Sequence, residues 1–111
     1  MALATDVRGQ AATADTSPVV STLPLAHSRA WRLHVHNTDP AANITAVRLR
    51  RRTHAEGPPS EWVSVAAGLP LAPGAVLAVV PDSEDSAQEL DVELTADADG
   101  ATAALWLAGT R

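Results

Sequence analysis

Two short stretches carry most of the chemistry that this chain offers. Residues 47–52 read Val-Arg-Leu-Arg-Arg-Arg and residues 89–94 read Glu-Leu-Asp-Val-Glu-Leu. Arg48, Arg50 and Arg52 recur at every second position, and so do Glu89, Asp91 and Glu93. Charge at period two, alternating with apolar residues, marks a strand with one face on a core and the other face outward. The chemistry of two such stripes with opposite sign is ion pairing, across neighbouring strands of one sheet or between subunits. Pairing within one subunit is the default expectation.

Other groups invite chemistry less strongly. His34 and His36 share a strand face and form half of a zinc or copper site that His27 or His54 could complete. No third ligand stands at a fixed spacing, and Arg32 beside them opposes a cation. An outward polar face, solvated or at an interface, is the preferred reading. Asp82, Glu84 and Asp85, with Ser83 and Ser86, cluster the oxygens that calcium prefers, but without the glycine and ordered spacing of a calcium loop. A solvated acidic loop is expected. Arg50-Arg51-Arg52 alternate faces on a strand and make no single phosphate-binding patch. No nucleophile elbow, Gly-rich phosphate loop or paired-carboxylate context is present, so we expect neither catalysis nor a cofactor.

The whole chain sets the frame for these groups. Its 111 residues make one domain. It has no Phe, Tyr or Cys, so the core must come from Leu, Val, Ala and the tryptophans Trp31, Trp62 and Trp106. Disulfides and thiolate metal sites are excluded. The net charge of −5 argues against nucleic-acid and anionic-membrane partners. No apolar run reaches the length of a membrane span, and MALATDVRGQ shows no signal-peptide pattern.

Residues 1–17 show little periodicity and predict an extended N-terminal arm, folded back on its own domain or laid along a neighbouring subunit. Residues 18–111 predict a β-sandwich domain of about seven short strands. These are 19–23 closed by Pro24, 30–36, 44–53 with a bulge near Ile44, 61–65, 75–80 covered on both faces, 88–96 and 101–108. Asn37-Thr38-Asp39-Pro40 is a turn. Asp99-Gly100 suggests a type I′ hairpin in which Leu94 faces Leu105, Val92 faces Leu107, and Glu93 lies opposite Trp106. The fold class is all-β, an antiparallel sandwich of immunoglobulin-like or jelly-roll-like type.

Three stretches taken together resemble small β-sandwich accessory proteins of tailed bacteriophage virions, the head-decoration and head-spike or fibre-base type. They are Trp31-Arg-Leu-His-Val-His-Asn-Thr, Gly68-Leu-Pro-Leu-Ala-Pro-Gly-Ala-Val-Leu, and Glu89-Leu-Asp-Val-Glu-Leu ending in Leu105-Trp-Leu-Ala-Gly. The resemblance covers about residues 30–108 and carries over no catalytic residue. It implies a virion structural protein, made in the host cytoplasm, that binds the major capsid protein or other virion subunits at the capsid surface, often as a trimer. Arg32, His34, His36, Arg48, Arg50, Arg52, Glu89, Asp91, Glu93, Trp62 and Trp106 are the interface candidates. A second class is a carbohydrate-binding or adhesion sandwich for host-surface recognition, with Trp62 or Trp106 as its stacking platform.

Overall fold

A computed structural model describes residues 5–28, 30–52, 61–65, 68–79 and 87–110. Eight strands are present: β1 (Thr5–Ala14), β2 (Val19–Ser28), β3 (Ala30–Asn37), β4 (Ile44–Arg52), β5 (Val63–Ser64), β6 (Val76–Val79), β7 (Ala87–Ala96) and β8 (Ala101–Thr110). They form two antiparallel four-stranded sheets, β1-β8-β3-β6 and β2-β7-β4-β5. Successive strands switch sheets except at β4–β5, which is the strand order of an eight-stranded jelly roll rather than of an immunoglobulin domain.

The alternation read from the sequence sets the inner faces. Trp31, Leu33 and Val35 of β3 are buried, as are Val47 and Leu49 of β4. Leu90, Val92 and Leu94 of β7 meet Leu105 and Leu107 of β8 in one continuous core. The expected bulge is present, as a register shift between Ile44 and Ala46.

Four expectations are sharpened or corrected. First, of the two courses open to residues 1–17, Thr5–Ala14 folds back on its own domain, as a strand of the sandwich paired residue by residue with β8. Its Gly, Ala and Thr residues give little apolar contrast, and the backbone ladder holds it, with Ala12 and Ala14 alone buried among its described side chains. Second, β7 and β8 are not a hairpin. They lie in opposite sheets and face each other across the core. The inward residues are those expected, because an even-length turn keeps the same parity whether it joins neighbours or crosses between sheets. The crossing is pinned from the β1–β2 link: the Gly100 N–H donates to Asp15 Oδ1 at 2.7 Å, and Thr16 donates to Asp99 Oδ1 from both its backbone N–H and its hydroxyl. Those Thr16 bonds hold the Asp99 carboxyl below the usual range for aspartate.

Third, β2 continues through Pro24, with a register shift between Pro24 and Ser28. A proline is tolerated there because β2 ends its sheet. Fourth, β6 is open on its outer side, where Val76 is 55% exposed. The expected turn after β3 is built on Asn37, which occupies an inward position and is fully buried. Its Nδ2 donates to the carbonyls of Ala42 and Leu71, and its Oδ1 accepts the Asp39 N–H. The acidic loop with Asp82, Glu84 and Asp85, and His54, lie outside the described residues.

Two outer faces as the candidate functional site

The outer face of β2-β7-β4-β5 is closed upon itself. The β4–β7 register places Arg48 opposite Glu93, Arg50 opposite Asp91 and Arg52 opposite Glu89. Arg48 Nε donates to Glu93 Oε1 at 2.6 Å, and Arg50 Nε donates to Asp91 Oδ2 at 2.7 Å. Arg52 Nη2 reaches the same Asp91 oxygen at 3.5 Å, and the Thr22 hydroxyl on β2 donates to Asp91 Oδ1 at 2.7 Å. The two stripes therefore pair within one chain, across neighbouring strands.

Asp91 and Glu93 point away from the core yet are buried: Asp91 is 2% exposed. Burial pushes its pKa up, and the bonds from Thr22 and Arg50 with the charges of Arg50 and Arg52 more than offset this, so the carboxyl sits below the usual aspartate range. The Glu93 bond likewise raises Arg48. Trp62, just before β5, covers the row, with its ring centroid 4.3 Å from Arg50 Cζ and 5.2 Å from Arg48 Cζ.

The outer face of β1-β8-β3-β6 is built differently. The register lines up Gly9 with Trp106 and His34, Ala11 with Ala104 and His36, and Ala108 with Arg32. Val76 and Ala78 of β6 extend it beside His36 and His34. Trp106 is 47% exposed on this face and does not stand opposite Glu93, which belongs to the other sheet. A Cβ on Gly9 would lie 2.5, 2.8 and 2.8 Å from Cζ3, Cε3 and Cη2 of Trp106. Nearly equal distances to three consecutive ring atoms mean that the Gly9 backbone meets the face of the indole, not its edge. The ring lies down on β1 because residue 9 has no side chain.

The interface candidates thus separate into two groups on opposite sides of the molecule. Arg48, Arg50, Arg52, Glu89, Asp91, Glu93 and Trp62 belong to the closed face, and Arg32, His34, His36 and Trp106 to the open one. Sequence reasoning missed Gly9 as the seat of Trp106, and only strand pairing could reveal it. Among the described residues no cluster of three or more His, Asp or Glu could hold a metal.

No family model matches the chain, and no curated protein matches it significantly. Solved structures are similar in outline. One is from work on Bacillus endospore appendages, described as disulfide-linked pili, at 13% identity and TM-score 0.47, covering 97% of this chain and 88% of that one. Another is from infectious bursal disease virus, Gx strain, at 15% identity and TM-score 0.46, covering 98% of this chain and 32% of that one. A third is the tailspike protein 4 enzymatically active domain of bacteriophage CBA120, at 11% identity and TM-score 0.47, covering 99% and 19%.

Proposed function

We propose that the chain is a non-enzymatic structural subunit of a virion, a capsid decoration or cementing protein that tiles a head lattice as a trimer or a similar small oligomer. The observation that carries this reading is the β1 edge. A two-sheet sandwich has four terminal strands, and exposed edges are normally blunted by shortness, proline or bulges. Here β5 has two residues, β6 has four, and β2 carries Pro24 and a register shift. Strand β1 runs ten residues with no proline and an unbroken register. Its free side offers a row of backbone donors and acceptors to a strand of a neighbouring subunit or of the major capsid protein.

The same segment was read from the sequence as an arm, and it keeps an assembly role in another form: an edge, not a loose tail. Repeated across a lattice, such contacts gain avidity without a deep site. The disulfide linkage described for the endospore pili cannot operate here, since this chain has no cysteine.

Neighbouring amides on a strand point to opposite sides, so one of Gln10→Pro and Ala11→Pro removes a β8 ladder bond and the other removes only an outward donor. The outward variant is expected to keep the thermal stability of the parent, lose oligomer mass in light scattering, and no longer co-sediment with undecorated tailed-phage heads. Unchanged mass and head binding for both proline variants would overturn the reading.

A further inference from the structure

We propose that the outer face of β1-β8-β3-β6 is a binding site for an acidic saccharide, with Trp106 as the stacking plate and Arg32, His34 and His36 as its polar row. With one indole face seated on Gly9, the ring is held parallel to the sheet and presents its other face to solvent. Ala11, Ala104 and Ala108 on the same face are too short to stand over it, and His34 stands at its side. An exposed, flat and unobstructed aromatic plate suits the C–H face of a pyranose ring.

Arg32 supplies the charge selection. Among the described side chains of this face none is a carboxylate, in a chain with 13 acidic residues. Asp91 and Glu93 of the opposite face are already bound to their own arginines. His34 stands directly beside Trp106, and Arg32 and His36 flank it two positions away on β3, roughly 7 Å along the strand. A sugar stacked on Trp106 therefore places its hydroxyls against the imidazoles and an exocyclic carboxylate within reach of the Arg32 guanidinium, which binds carboxylates in a bidentate manner. The site does not depend on the β1 edge, because edge-to-edge assembly leaves this face uncovered.

The direct test titrates the full chain with a galacturonic acid trisaccharide, with the neutral galactose trisaccharide and a glutamate hexapeptide as comparisons, followed by tryptophan fluorescence and amide chemical shifts. The acidic sugar is expected to saturate and to shift β3 and β8 amides. Trp106→Ala is expected to weaken it by roughly tenfold or more, and Arg32→Gln to erase the preference over the neutral sugar. Gly9→Val, which lifts the ring while Trp106 remains, is expected to weaken binding as Trp106→Ala does, with Trp106→Phe restoring part of it. The proposal is overturned if the two sugars bind alike, if neither saturates, if Trp106→Ala binds like the parent, or if the glutamate peptide binds as tightly as the sugar.

Discussion

The two outer faces of this sandwich carry charge and tryptophan in opposite ways. On β2-β7-β4-β5 the arginines face carboxylates of the same chain and Trp62 packs onto them. On β1-β8-β3-β6 Arg32, His34 and His36 have no acidic row beside them among the described residues, and Trp106 packs onto a glycine with its other side open. The difference teaches that an alternating charged strand is not in itself an interface. What decides is whether the sheet register brings its complement within the chain. The closed face satisfies its own charges within the chain, and the open one does not.

The largest expected effect breaks the closed face. Asp91→Ala leaves the half-buried Arg50 and Arg52 without their shared acceptor and is expected to cost about 2 kcal/mol in denaturant unfolding. Replacing Asp91 and Arg50 together with Leu and Met is expected to recover most of that loss, since the cost lies in the orphaned charge. Acid reports on the same residue. Its folded pKa lies below the unfolded one, so its stabilisation is complete above the ordinary aspartate pKa and is lost as the pH falls through the folded value. Melting temperature is expected to fall as the pH drops below the ordinary aspartate pKa of about 4, and less steeply in Asp91→Asn. Trp62→Ala is expected to cost about 1 kcal/mol through the two lost cation–π contacts. On the open face Trp106→Ala is expected to stay within about 1 kcal/mol of the parent, so that any large loss of function there is not a loss of fold. The smallest effect is expected inside: Trp31 Nε1 is buried without a hydrogen-bond partner, and Trp31→Phe, which removes that donor, is expected to be close to neutral in thermal melting.

Much of the closed face was legible in the sequence because period-two charge on Arg48 to Arg52 and on Glu89 to Glu93 survives any choice of topology. The inner face was legible for the same reason. The assignment of strands to sheets was not, since Asp99-Gly100 serves a hairpin and a crossing between sheets with the same parity. Strand β1 was hidden because backbone bonds hold it and its small side chains leave no pattern. Asn37 could have been found: it continues the inward positions of Trp31, Leu33 and Val35, and a buried amide there must have partners. The Gly9–Trp106 seat could not, because the two positions are far apart in sequence and only the β1–β8 register joins them.

If β1 is the assembly edge, amide hydrogen exchange in dilute and in concentrated protein will differ there. Concentration is expected to slow every second amide of Thr5–Ala14, the outward set, while β2, β4 and β7 exchange as before. Slowing confined to β2 or β5, or exchange in β1 that ignores concentration while the oligomer forms, would contradict it.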